Sequence, residues 1–126
     1  MIFFCDRNLG KQLPAALRAR GIDVVVHDEQ FPQATADEDW LAAAGQQRWI
    51  VITRDRRIRF NEVERRALID YGVGCFMLTR ADASAAEMDH CLRAAWYDII
   101  RISMTIPRPF LYSVSAEGKV RRYPLS

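Results

Sequence analysis

The chain has 126 residues, half of them apolar and 27% charged, with a formal net charge of +2. That length supports one domain with a sizeable core and is too short for two. The near-balanced charge excludes a polycation, so charge alone names no partner. All of the 18 basic residues except Lys11 and Lys119 are arginine, which suits forked contacts to phosphate or carboxylate but is explained equally well by codon usage. Cys5, Cys75 and Cys91 sit in apolar segments with no CxxC pair. They read as small buried hydrophobes. The odd cysteine count, the absence of an apolar run of about 18 residues and a start that goes directly into a strand pattern predict a cytoplasmic protein without a membrane partner.

In chain order, residues 2–5 predict strand 1, and residues 9–20 a helix with Leu9, Leu13, Ala16 and Leu17 on one face. Pro14 fits only in its first turn, so the regular helix starts near Lys11 to Leu13, and Gly21 ends it. Val24-Val25-Val26 is strand 2, and residues 28–36 form a loop. Thr35 and Glu38 have capping-box spacing, which predicts a helix from about Thr35 to Gly45. Residues 49–53 are strand 3, and 54–60 a basic connector. Residues 61–71 predict a helix with Val63, Ala67, Leu68 and Tyr71 inward and Gly72 as its stop. Residues 74–78 are strand 4, and Ser84 with Glu87 opens a long helix to about Ile102. Its apolar stripe is Met88, Leu92, Ala95, Trp96, Ile99 and Ile100. Residues 110–114 and 119–123 flank a turn containing Gly118, a β-hairpin pattern.

This βαβαβαβα order predicts a single three-layer α/β/α domain with a mainly parallel four-stranded sheet. The domain spans residues 1–105, and the hairpin in 106–126 is an extension of it. Asp6 follows strand 1, Asp55 follows strand 3 and Asp37 opens a helix. A parallel sheet would gather such residues at its carboxyl edge, where open α/β folds build their sites. Crowded carboxylates repel one another, so a cluster of them suits a divalent cation such as Mg²⁺ or Mn²⁺. Metal-assisted phosphodiester hydrolysis is one use of that arrangement. Each acid also has a structural explanation. Asp37, Glu38 and Asp39 suit the positive end of a helix dipole. Asp55 can cap a turn, and Asp6 can form an Asx-turn with the backbone of Asn8.

Around these acids, Thr53 is placed to orient Asp55 or a metal-bound water. Asn8 fixes the turn after strand 1. Arg54, and less so Arg56, Arg57 and Arg59, are candidates for RNA phosphate contacts, or else neutralise the acids. His27 and His90 lack metal-ligand spacing and read as structural. The hairpin's Arg108, Lys119, Arg121 and Arg122, with Tyr112 and Tyr123, either bind RNA or a partner's acidic segment or protect a sheet edge.

Phe3-Phe4-Cys5-Asp6-Arg7-Asn8-Leu9-Gly10, Asp37-x-x-Trp40-Leu41-x-x-Ala44 and Ile52-Thr53-Arg54-Asp55 together resemble compact PIN-like domains. The resemblance covers residues 2–80 and is closest to the toxins of VapBC-type toxin–antitoxin pairs. It implies a Mg²⁺- or Mn²⁺-dependent endoribonuclease acting on single-stranded RNA, with Asp6, Asp37 and Asp55 as metal-binding catalytic acids. It also implies an antitoxin on a separate chain, and is compatible with a homodimer. Family members bring a fourth acid from the region before the Asp-led helix. Here neither Asp28 nor Glu29 matches it, which leaves Glu38, Asp39, Glu62 or Glu64 as substitutes. Two alternatives stand beside this reading. One is a non-catalytic PIN-like scaffold for RNA or an antitoxin. The other is a receiver-like domain with Asp55 as phosphoacceptor, which lacks the acidic pair at strand 1 and the late lysine of that plan.

Overall fold

The computed structural model describes residues 1–80 and 82–125. Its sheet has six strands in the order β2-β1-β3-β4-β5-β6. These are β1 (Phe3–Cys5), β2 (Val24–Val26), β3 (Ile50–Thr53), β4 (Gly74–Leu78), β5 (Phe110–Val114) and β6 (Val120–Arg122). The helices are α1 (Gln12–Ala19), α2 (His27–Gln30), α3 (Asp37–Gln47), α4 (Glu62–Tyr71) and α5 (Ala85–Thr105). No helix among the described residues is long and apolar enough to cross a membrane.

β1, β3, β4 and β5 are buried along their whole length, as continuous apolar runs must be when helices cover both faces of a sheet. Side chains alternate between faces, and two cores result. Phe3, Cys5, Ile50, Ile52, Phe76 and Leu78 pack with α1 and α5. Phe4, Val51, Cys75 and Met77 pack with α3 and α4. All three cysteines are buried and free.

The sheet is wider than the four strands expected from the sequence. β5 pairs in parallel with β4 over Gly74 to Leu78, and only β6 runs antiparallel. The hairpin is therefore built into the sheet: Phe110, Leu111 and Val114 are as apolar as any central strand, and burying them between the helix layers outweighs leaving them on a separate ribbon.

Four local expectations change. The segment after β2 is not all loop, since His27–Gln30 forms one helical turn. Thr35 builds no capping box. Its hydroxyl donates to the Pro32 carbonyl at 2.7 Å, and α3 starts at Asp37 with no side-chain cap. Three acids in its first turn compensate its dipole instead. Gly45 does not end α3, which runs on to Gln47 with Arg48 left-handed at φ 59°. The glycine serves packing: a Cβ there would collide with the carbonyl oxygen and Cβ of Tyr71, so it lets α3 press against the end of α4. Finally, α4 is rotated from the expected phase. Val63 and Tyr71 are exposed, and the buried residues are Glu64, Ala67 and Leu68.

The Ser84–Glu87 capping box is formed, and α5 buries Met88, Leu92, Ala95 and Ile99 as expected, along with Cys91 and Ile102.

Candidate functional site

The sheet changes its direction of growth between β1 and β3. The chain goes outward from β1 to β2, then crosses back to place β3 on the other side of β1. The helices leaving the two strands diverge there, opening a crevice at the carboxyl edge. Asp6 follows β1, and its amide donates to the Ile52 carbonyl of β3 at 3.0 Å. Asp55 lies two residues beyond the end of β3. A cleft of about 280 Å³ is lined by Asp6, Asp37 and Asp55, together with Asn8, His27 and Arg57.

Asp37, Asp55 and Glu64 each offer a carboxylate oxygen within 4.8 Å of the others. They come from the start of α3, the end of β3 and the first turn of α4. Glu64 is only 7% exposed. Its backbone is pinned because Asn61, the cap of α4, accepts from the Glu64 amide at 3.1 Å. Burial, a hydrogen bond to Asp37 and the negative charges of Asp55 and Asp37 push its carboxyl up to about 8, against the opposing influence of Arg57. Burial likewise raises Asp6, helped by the charge of Asp37 and opposed by hydrogen bonds from Thr53 and the Arg7 amide.

Thr53 is fully buried and joins three parts of the site. Its Oγ1 donates to Asp6 Oδ2 at 2.7 Å. The same oxygen accepts from Asn8 Nδ2 at 3.2 Å and from the Asp55 amide at 3.0 Å. Asn8 completes the link, since its Oδ1 accepts from the Arg54 amide at 3.3 Å. A threonine thus ties the ends of β1 and β3 into one frame. Trp40 Nε1 donates to Asp37 Oδ1 at 3.0 Å, so the first helical turn of α3 orients its own acid.

The structural roles foreseen for the acids coexist with this clustering. Asp6 caps the short 3₁₀ turn after β1, but through the Arg7 amide at 2.7 Å and not through Asn8. Asp55 caps the turn after β3 through the Arg57 amide at 3.0 Å.

The four arginines around Asp55 separate. Arg57 returns over Asp55 with Nε at 3.0 Å and Nη2 at 3.1 Å from its two oxygens. Arg54 turns away and donates to the Ala83 carbonyl at 3.1 Å. Arg59 lies over the rings of Phe60 and Tyr123, and Arg56 is exposed. Of the candidate additional acids, Glu38, Asp39 and Glu62 line a different groove, between α3 and α4, with Arg66 and Tyr71.

Glu64 was one of four possible substitutes on sequence, and its helical phase is a signal for it that competes with the apolar Val63 beside it. It stands three and four residues before Ala67 and Leu68, on the face that α4 buries. His27, read as structural, is buried against Phe4, Phe31 and Trp40. It bonds Asp28 through Nδ1 at 2.9 Å and also borders the cleft.

A parallel α/β sheet with carboxylates converging at its switch point defines the class, and a family model described as "PIN like domain" matches residues 1–80. The chain belongs to the PIN-like domain family. Over 123 residues it is 34% identical to a protein of Mycobacterium tuberculosis (strain ATCC 25618 / H37Rv) described as "Putative ribonuclease VapC45", an alignment covering 94% of this chain and 88% of that one. No solved structure matches the chain significantly.

Proposed function

We propose that this protein is an endoribonuclease of the VapC type, the toxin of a toxin–antitoxin pair, and that its activity needs Mg²⁺ or Mn²⁺. One observation carries the reading: Asp6, Asp37, Asp55 and Glu64 converge from four separate elements on the carboxyl edge of the sheet. The relative described as a ribonuclease supports the substrate class.

The donor set fits a hard dication. It is all carboxylate oxygen, and it carries a buried acid whose charge is disfavoured by its neighbours until a cation is present. Asp37, Asp55 and Glu64 would hold the ion, with Asp6 completing the site. The ion when bound supplies an acidified water and neutralises charge on the scissile phosphate.

The chain's own residues do the positioning. Thr53 holds Asp6 and fixes the Asp55 backbone, and Trp40 holds Asp37. Arg57 shields Asp55 and, on an exposed side chain, is free to exchange that carboxylate for a substrate phosphate. The scaffold alternative drew its support from a missing fourth acid, and Glu64 is the acid we assign to that place. The antitoxin partner is carried over from the VapC-type relationship alone.

The test is Mn²⁺-dependent thermal stabilisation and RNA cleavage by the wild type, Asp6→Asn and Asp55→Asn. The wild type should gain about 2.7 kcal/mol at a hundredfold excess of Mn²⁺ over its Kd. Both variants should stay folded and lose cleavage. Cleavage retained by either one would refute the assignment.

A further inference from the structure

The acidic cleft continues into a second groove. Arg7 and Gln33 line both. The second space, about 880 Å³, runs between α1 and the segment after β2, and is large enough for a nucleotide. Its walls differ in chemistry from the cleft. Pro14 and Ala15 of α1 and Val26 of β2 give apolar surface, and Arg7, Lys11 and Arg18 give positive charge that Asp28 and Glu29 offset in part.

Not all of that charge is committed. Arg18 is held by Glu29 at 2.7 Å and by the Val24 carbonyl at 2.9 Å, which makes it part of the wall. Arg7 is ion-paired with Asp28 at 3.4 Å but half exposed, so its remaining nitrogens face solvent. Lys11 is exposed and has no ion-pair partner among the described residues. A cluster of carboxylates repels a polyanion, so a nucleic acid needs cationic contacts beside the cleft. Within the cleft Arg57 must leave Asp55 before it can meet a phosphate, and on the other side Arg7 and Lys11 supply the contacts.

We propose that this groove binds the nucleotide adjoining the scissile phosphate of a single-stranded RNA, and so contributes to the choice of cleavage site. The proposal rests on the ribonuclease reading above. The neighbouring phosphate lies between Arg7 and Lys11, and its base packs on Pro14, Ala15 and Val26. The strand must be unpaired, because a base can meet that apolar surface only when out of a helical stack.

The test uses the full chain and a fluorescein-labelled ten-nucleotide single-stranded RNA, read by anisotropy in EDTA, with Mn²⁺-dependent cleavage measured in parallel. Lys11→Glu removes the cation, and Ala15→Trp fills the groove from an exposed helical position. Arg101→Glu, at an exposed position of α5 that borders neither the cleft nor the groove, makes a like charge change elsewhere. Lys11→Glu and Ala15→Trp should each weaken binding about tenfold, the scale of one lost base or phosphate contact. Lys11→Glu should also flatten the dependence of log K on log salt by about 0.7, one phosphate contact to a single strand. Arg101→Glu should bind like the wild type.

RNA binding unchanged by both groove variants would overturn the proposal, as would a wild type that binds no RNA. If the groove variants instead lost a co-purifying protein while keeping RNA affinity, the groove would belong to that partner and the proposal would fall. Binding that is lost in the groove variants, with no cleavage by the wild type, would leave the groove standing and refute the nuclease reading alone.

Discussion

Replacing Glu64 by Gln tests the acidic cluster through stability, independently of any substrate. The variant keeps the shape of the side chain and removes its charge. In the fold the Glu64 carboxyl titrates at about 8, against 4.5 when unperturbed. Between those values the native state binds more protons than the unfolded chain, so metal-free stability is full below pH 4.5 and falls as the pH rises to 8. The loss accumulated by pH 8 is about 4 kcal/mol, and about 2 kcal/mol of it has occurred by pH 6. The Gln variant does not pass through this titration.

Thermal unfolding in EDTA at pH 5, 6, 7 and 8 reads the effect. The Tm of Glu64→Gln relative to wild type should climb across that series. At about 4 °C per kcal/mol for a chain of this size, the difference should reach roughly 16 °C at pH 8. Mn²⁺ should raise the wild-type Tm most at high pH, where the acids are ionised, and raise the variant less. A Tm difference that stays flat from pH 5 to 8, with an undiminished Mn²⁺ response in the variant, would refute the placement of Glu64 in the cluster.

Two further substitutions probe the frame around the acids. Thr53→Val keeps the strand shape but removes the oxygen that serves Asp6, Asn8 and Asp55. It should cost about 1–3 kcal/mol of stability and lower Mn²⁺ affinity about 10–100-fold, read by calorimetry. Gly45→Ala forces α3 away from Tyr71 and so moves Asp37 relative to Glu64. It should cost about 1–3 kcal/mol by overpacking and weaken Mn²⁺ binding although it lies outside the site, which denaturant unfolding and metal titration measure.

Much of this architecture was legible without coordinates because it depends on local rules. Apolar runs bounded by turn residues identify β1, β3 and β4. Gly21, Gly72 and the Ser84–Glu87 box mark helix ends through φ and hydrogen bonding within a few residues. The alternation of strands and helices then restricts the sheet to parallel pairing, and Asp6 and Asp55 must leave it at the same edge. What the sequence left open involved choices between faces and partners. The phase of α4 was ambiguous because Val63 and Glu64 are adjacent, and hydrophobicity alone favours burying Val63. Tertiary packing reversed that choice, bringing Glu64 beside Asp37 and Asp55. Gly45 reads as a helix stop by propensity, but the approach of α4 makes it a contact point. The arginines after β3 are equivalent as a string. Only the fold decides that Arg57 turns over Asp55 and Arg54 toward Ala83. The sequence by itself determined the order of elements and the edge where the acids gather. The tertiary structure decided which acid joins them and which cations remain free, because those depend on distances between segments far apart in the chain.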